Sequence, residues 1–340
     1  MLAAVGNTSD GPRNILRNTD KFSDGRHLLI RPTFSPLIDG KEEIGRGQAR
    51  VDCIQDYSPC SCSSNYYNET VVRCEGVSVE TVRDVFQRDN DPEIYQLEFY
   101  PVDDATNLIS LPADFLGNTS VTNIISINCG YSSNYANFPN LVVDSLAFRS
   151  SQNSLVDFSI IFFDFGMQKD FNFLNGFNKL VELRISFPIN LAAFQYLPPL
   201  PSLQLLSVAR CPEELNQMAF PDLSPAKLKY LELWDSEIND QTADKILSQL
   251  AASSSADSLE WLSLSGNSLT RIPIQVGSAF PQIKSVYLGG NSFSHIPSSS
   301  LTFNSTYLED LNFVRSGINT IESGAFRGIQ YTVHLQLPIF

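Results

Sequence analysis

Histidine is scarce in this chain, and the short motifs that organise catalytic sites are missing. The three histidines among 340 residues are His27, His295 and His334, and no two have the spacing of a metal-binding pair. Neither H-E-x-x-H nor G-x-S-x-G occurs. Because catalysis needs acids, bases or nucleophiles gathered at one place, these absences predict a protein without enzymatic activity, cofactor or metal.

Long apolar runs are also lacking. The most apolar segment, Ile160 to Phe163, is broken by Asp164, whereas a membrane-spanning helix needs about 20 apolar residues. The N-terminus shows no apolar stretch of the kind that forms a signal peptide. We therefore expect no membrane span in this chain, and we expect it to be incomplete at its start and to lack a C-terminal cap.

Basic residues are outnumbered: the formal net charge is −14 and the pI is about 4.6. An acidic surface disfavours nucleic acids and anionic membranes as partners and suits a basic protein. Keeping copies of the chain apart is an equally good explanation of the charge.

Two stretches, residues 259–273 and 283–297, repeat each other closely. Both follow L-x-x-L-x-L-x-x-N-x-L, the signature of a leucine-rich repeat. One such unit cannot bury its apolar face alone, so copies stack into a solenoid. The pattern predicts an α/β leucine-rich repeat solenoid, a horseshoe with a parallel sheet on its concave side. Such a fold is typically a protein-binding surface.

Further copies of the pattern extend in both directions. Clear ones begin at Leu180, Leu203, Leu228 and Leu308, a partial one holds Leu335 and Leu337, and blurred ones begin at Ile94, Val121 and Val143 and near Leu155 and Phe158. We predict about ten repeats over residues 93–340. The longest repeat contains residues 240–250, whose apolar spacing predicts an amphipathic helix on the convex side.

The asparagine of each repeat turns the chain, and its amide satisfies backbone groups inside the coil. Asn267 and Asn291 hold this position, and counting from the repeat starts places Cys129 and Cys211 there too. Repeats at least three strands apart are separated by about 14 Å, too far for a disulfide. We therefore predict two buried free thiols.

Four further cysteines, Cys53, Cys60, Cys62 and Cys74, lie just before the first repeat. A disulfide cap over residues 53–92 would cover the exposed end of the solenoid. A zinc site is the alternative, since four cysteines could also build one. Residues 1–52 have little periodicity and nearly balanced charge, and we expect a disordered tail.

Four N-x-[ST] sequons begin at Asn7, Asn68, Asn118 and Asn304. Together with a disulfide cap they favour a secreted or cell-surface glycoprotein.

The strand register assigns side chains to the concave face. If Leu262 and Leu264 point into the core, Trp261 points outward, as do its counterparts on neighbouring strands. Aromatic residues contribute much of the energy at protein interfaces. The predicted partner-binding patch comprises Tyr230, Glu232, Trp234, Trp261, Tyr287 and Asp310.

Several segments resemble secreted arthropod leucine-rich repeat proteins, and more narrowly the non-catalytic subunits of oplophorus-luciferin 2-monooxygenase. The segments are Pro59–Cys62, Val79–Phe86, Ile94–Phe99, Leu111–Gly117 and Ile321–Gly328. The resemblance implies Cys53–Cys62 and Cys60–Cys74 disulfides and a secreted accessory subunit that binds a small catalytic subunit. The alternative is the ectodomain of an adhesion or innate-immunity receptor, bound to its own ligand or receptor.

Overall fold

A computed structural model describes residues 56–88, 93–102, 107–129, 138–211, 214–298, 300–326, 329 and 334–337. The predicted tail, residues 1–52, lies outside these residues, as does Cys53. The strands are β1 (Ser61–Ser64), β2 (Thr70–Val77), β3 (Glu93–Pro101), β4 (Leu108–Leu111), β5 (Ser120–Asn128), β6 (Asn140–Val143), β7 (Asp157–Ile161), β8 (Glu182–Ser186), β9 (Leu205–Ala209), β10 (Tyr230–Trp234), β11 (Trp261–Ser263), β12 (Ser285–Tyr287), β13 (His295–Ile296), β14 (Asp310–Asn312), β15 (Thr320–Ile321) and β16 (His334–Gln336). The α-helices are α1 (Val79–Arg88), α2 (Glu214–Gln217), α3 (Asp240–Ala251) and α4 (Gln275–Ser278), and 3-10 turns cover Arg149–Ser151, Asn172–Leu174, Leu191–Tyr196 and Ser254–Asp257.

One sheet organises the molecule. It has 12 strands in the order β1-β2-β3-β5-β7-β8-β9-β10-β11-β12-β14-β16, and every pairing except β1 with β2 is parallel. Removing β1 and β2, which precede the first repeat, leaves ten repeat strands. This is the predicted leucine-rich repeat solenoid. The open face of the sheet, opposite the core, is its concave face.

The long repeat carries the predicted helix. Helix α3 begins after Asn239, whose side chain accepts a hydrogen bond from the Thr242 N–H, an N-cap that satisfies one of the free donors of the first turn. Its apolar side chains are buried, namely Ala243, Ile246, Leu247 and Leu250. Among the described residues, no helix is both long and apolar enough to cross a membrane.

A disulfide-bonded hairpin precedes the repeats. Strands β1 and β2 pair antiparallel, and β2 continues the parallel sheet into β3. Cys60 and Cys74 form a disulfide across this hairpin. Cys62 is disulfide-bonded as well. Thiols joined in disulfides cannot be the ligands of a tetrathiolate zinc site, so the zinc alternative is wrong.

The repeat predicted to begin at Val143 is wrong. Val143 ends β6, which pairs with β4 in a separate two-stranded sheet, and Leu146 is 40% exposed. The concave strand after β5 is β7, whose Phe158 and Ile160 point into the core, and it lies where the separate copy near Leu155 and Phe158 was predicted. The sequence around Val143 resembles a strand of the 12-stranded sheet because β6 also alternates buried and half-buried residues.

Phenylalanine fills the core of the first repeats. Ring centroids 5 to 7 Å apart are the spacing at which aromatic pairs attract one another. Phe115 lies 6.2 Å from Phe148, which lies 5.3 Å from Phe158, and the series continues through Phe173 to Phe171, which lies 5.6 Å from Phe194. These rings are fully buried. The early repeats are therefore held by ring packing where later ones use leucine.

An asparagine ladder supports the later repeats. Asn267 Nδ2 donates to the carbonyls of Leu233 and Leu264 at 2.6 and 2.9 Å. Its Oδ1 accepts from the N–H groups of Ser236 and Ile238, both at 3.1 Å. One buried amide thus satisfies four backbone groups from two neighbouring coils.

In other repeats the position of Asn267 is occupied by Asn291, Cys211, Ser236 and Ser316. Each lies three residues after the second inward residue of its strand, as Asn291 lies after Leu288, and each is buried. Asn291 donates to the carbonyls of Leu264 and Leu288, both at 2.8 Å.

Cys129 does not lie at the ladder position, although counting residues from the repeat start at Val121 predicted it there. The pairing of β3 with β5 shifts by one residue between Ile94 and Gln96, so Ile125 and not Ile124 opposes Leu97 and points inward. Cys129 consequently falls one residue short of the ladder. It is nevertheless buried, and neither it nor Cys211 is joined in a disulfide within the described residues.

Candidate protein-binding surface

Three outward rows of side chains cover the concave face. Strand pairing places Tyr230 beside Trp261, and Glu232 beside Ser263. The first row runs Asp157, Glu182, Leu205, Tyr230, Trp261, Ser285, Asp310, and the second Ser159, Arg184, Ser207, Glu232, Ser263, Tyr287, Asn312. The third row is Ile161, Ser186, Ala209 and Trp234.

Trp261 and Tyr287 stack on each other, and we call them the aromatic pair. Their ring centroids are 4.4 Å apart with an interplanar angle of 27°. Both are half-buried, and Tyr230 adjoins Trp261 on the next strand. The indole N–H of Trp261 is buried and has no hydrogen-bond acceptor in the described part of the chain. An unsatisfied buried donor costs about 1–3 kcal/mol, so this arrangement is not the one that stability alone would select.

A charge cluster of Asp157, Glu182, Arg184 and Glu232 lies on the other side of Tyr230. Arg184 donates from Nη1 to Asp157 Oδ2 at 2.7 Å and also pairs with Glu182. Two carboxyl groups thus contact one guanidinium, whose charge also acts on the nearby carboxyl group of Glu232. The side chains of Asp157, Glu182 and Arg184 are only 16%, 5% and 12% exposed. With every group ionised the cluster would carry two net negative charges, three minus one.

Burial disfavours that fully ionised state. Burial raises the pKa of Asp157 to about 6, with Arg184 opposing the shift and Glu182 adding to it. Burial likewise raises the pKa of Glu232, partly offset by a hydrogen bond from Ser207 and by the charge of Arg184. A cationic side chain brought by a partner would stabilise the ionised carboxylates, because it would supply the missing positive charge.

The C-terminal edge of the sheet, where the parallel strands end, carries a row of left-handed residues. From β7 to β14 they occupy the position two residues after the second inward residue of each concave strand. They are Phe162, Phe187, Arg210, Asp235, Gly266, Gly290 and Arg315, with φ between 50° and 67° in all but Gly290, at 70°. Glycine adopts this conformation freely, whereas other residues are strained in it by about 1–2 kcal/mol.

Two of these strained residues begin an edge stack, which comprises Phe162, Phe187, Arg210 and Trp234. Phe162 and Phe187 stack with centroids 4.3 Å apart. The Arg210 guanidinium lies 4.6 Å from the Phe187 ring and 5.1 Å from the Trp234 ring. Sequence reasoning missed Phe162, Phe187 and Arg210. The available signal was a large side chain where the regular repeats have glycine.

The predicted patch is therefore divided. Tyr230, Trp261 and Tyr287 lie on adjacent strands, and Glu232 lies in the charge cluster. Trp234 lies four residues from Tyr230 along β10, which is about 13 Å at the rise of a strand. It belongs to the edge stack instead. Asp310 is at the other end, where its carboxylate accepts from Ser285 at 3.4 Å and lies 3.1 Å from His334 Nδ1.

The sequon asparagines within the described residues are Asn68, Asn118 and Asn304, and all three are exposed. Asn7 lies outside. In the part of the chain that the structure describes, no group of three or more His, Cys, Asp or Glu side chains is arranged to hold a metal ion.

The leucine-rich repeat family model matches residues 258–278, which include β11 and α4. Among solved structures, the chain is similar to one from the Toll–Spätzle complex, described as a molecular hub in Drosophila development and innate immunity. The identity is 12% and the TM-score 0.41, over 84% of this chain and 42% of that one. The chain thus spans less than half the length of that structure.

No curated protein matches the sequence. The repeat match and the stacked parallel strands identify the fold as a leucine-rich repeat solenoid.

Proposed function

We propose that this protein is a non-catalytic binding module that holds a partner protein on its concave face. The observation that supports this most directly is the aromatic pair, stacked and half-exposed beside Tyr230. Large, rigid aromatic side chains at the centre of a surface are the usual anchors of protein interfaces. A small residue at either position would have satisfied the strand equally well.

The charge around the aromatic pair specifies the partner further. The charge cluster lies toward β7 and Asp310 lies toward β16, so carboxylates flank the aromatic residues on both sides. We propose a partner whose contact surface carries lysine or arginine around an apolar centre. Such complementarity accelerates association and excludes acidic proteins.

The sequence resemblance suggests a biological setting for this module. We propose a secreted, glycosylated accessory subunit that binds or stabilises a small catalytic protein, like the non-catalytic subunits it resembles. The disulfide of the cap supports an oxidising compartment. A receptor ectodomain would use the same surface, and sequencing the full-length transcript distinguishes the two by the presence of a membrane anchor.

The test compares three forms of the protein against secreted proteins from the native tissue. The first is the natural chain, the second carries Trp261→Ser with Tyr287→Ser, and the third is a convex-side control, Lys245→Ala in α3. The protein retained by the natural chain is purified, and its Kd is measured for each form. We expect the double variant to lose at least about thirtyfold in affinity, corresponding to about 2 kcal/mol.

The control should bind like the natural chain. If the double variant folds normally by circular dichroism and retains full affinity, the partner does not bind at the aromatic pair.

A further inference from the structure

A second surface, separate from the concave patch, lies at the N-terminal edge of the sheet, where the parallel strands begin. An open groove of about 540 Å³ runs there along the residues that precede β7 to β11. Lys179, Lys227 and Lys229 line it, together with the apolar side chains of Val156, Val181 and Pro201. Its volume falls within the roughly 300–1,000 Å³ typical of small-molecule sites.

These lysines are unexpected in a chain with a net charge of −14. Half of the lysines in the described residues line this one groove; the others are Lys169, Lys245 and Lys284. Across the described residues, no carboxylate lies within ion-pair distance of the three groove lysines, and their ammonium groups make no hydrogen bond. An acidic protein has many carboxylates available to neutralise them, so their free state is a property of this site.

The carboxylate closest in register is engaged elsewhere. Glu260 lies beside Lys229, on the next repeat. The backbone N–H of Glu260 donates a hydrogen bond to the carbonyl of Lys229 at 2.9 Å. The side chain of Glu260 instead accepts a hydrogen bond from Lys284 Nζ at 2.6 Å. Lys229 therefore remains free to bind a ligand, beside the exposed Lys179 and Lys227.

The chemistry of the lining specifies the ligand. Ammonium groups are compact charges with three donors each, and several of them together can donate to the three free oxygens of a sulfate or phosphate ester. The apolar residues suit an organic body attached to that anion. An extended acidic polymer would reach beyond the groove, where the acidic remainder of the surface would repel it.

We propose that this groove binds a small organic sulfate or phosphate monoester. The oxyanion lies among the ammonium groups of Lys179, Lys227 and Lys229, and the organic body packs on Val156, Val181 and Pro201. This site does not depend on the partner proposed for the concave face.

The test measures the binding of phenyl sulfate, phenyl phosphate and the neutral parent phenol by isothermal titration calorimetry at pH 7.4. The two esters identify which oxyanion the site prefers. We expect at least one ester to bind and phenol to bind at least tenfold more weakly. A variant carrying Lys179→Gln and Lys227→Gln should lose about tenfold per lysine, since each removes a hydrogen bond to a charged group.

Both substituted side chains are exposed, so folding should be unaffected. The matched control replaces two lysines outside the groove, Lys169→Gln and Lys245→Gln, with the same change in net charge, and should bind like the natural chain. The proposal is overturned if neither ester binds at millimolar concentration, if phenol binds equally well, or if the control loses as much affinity as the groove variant.

Discussion

The buried amide of Asn267 shows how much a single residue contributes to a repeat. Replacing it with alanine leaves four interior backbone groups without a partner. They are the N–H groups of Ser236 and Ile238 and the carbonyls of Leu233 and Leu264. We expect Asn267→Ala to lower the free energy of unfolding by about 3 kcal/mol or more.

Urea denaturation measures this loss, with Ser268→Ala, at an exposed neighbouring position, as the control. A loss below about 1 kcal/mol for Asn267→Ala would show that the ladder is not a main source of stability.

The carboxyl group of Asp157 makes stability depend on pH. Its pKa is about 6 in the folded protein against an ordinary value of 3.8. Between these values the folded state binds more protons, so this group contributes more stability as the pH falls through 6 toward 3.8. Asparagine resembles the protonated form. We expect Asp157→Asn to be more stable than the natural chain by about 1–3 kcal/mol at pH 7.5 and to lose most of that advantage by pH 4.5.

Denaturation at a series of pH values gives this difference, and Asp257→Asn, at an exposed site, serves as the control. A difference between Asp157→Asn and the natural chain that stays constant from pH 7.5 to 4.5 would contradict a raised pKa in the folded state.

The sequence placed the ladder position correctly in the regular repeats, at Asn267, Asn291 and Cys211. Asn267 and Asn291 are recognisable because the L-x-x-L-x-L pattern before them is regular. Cys129 was misplaced because an extra residue in β5 shifts the register, and backbone irregularities of this kind leave little trace in side-chain identity. The edge stack was missed for a related reason: its residues are recognisable only by alignment with Gly266 and Gly290 of the regular repeats, since phenylalanine by itself gives no sign of a left-handed backbone.

At the scale of elements, α4 packs closely against the next turn of the convex side. A Cβ atom at Gly277 would lie 2.1 Å from the carbonyl oxygen of Thr302. We expect Gly277→Ala to destabilise the protein by about 1–3 kcal/mol, because backbone must move apart to admit the methyl group.

Gly317→Ala is the matched control, since there the nearest atom, the Phe293 carbonyl oxygen, is at an ordinary 3.5 Å. Alanine at that position should be neutral or slightly stabilising. Melting temperatures compare the two variants, and equal values would mean that α4 does not pack as described.

The helix in the long repeat and the strands β8 to β12 and β14 were predictable because the apolar spacing of their repeats is regular. The short strands β4, β6, β13 and β15 were not, because two to four residues carry too little pattern. This is why Val143 was assigned to the main sheet.

At the scale of the whole molecule, the phenylalanine-filled early repeats and the leucine-filled later repeats should unfold separately. Each repeat contacts mainly its neighbours, so local damage spreads over a limited distance. Leu262 is fully buried in β11, and Leu262→Ala should cost about 2–5 kcal/mol. Hydrogen exchange should then accelerate first in β10 to β12, while the phenylalanine-filled repeats from β3 to β8 stay protected. Uniform acceleration along the chain would contradict this.

The central claim is that the aromatic pair anchors a protein partner, and one measurement tests it most directly. The purified partner is titrated, at physiological salt, against the natural chain and against the Trp261→Ser, Tyr287→Ser double variant. The account predicts a rise in Kd of at least about thirtyfold for a double variant that retains its fold. An unchanged Kd in that folded variant would contradict it.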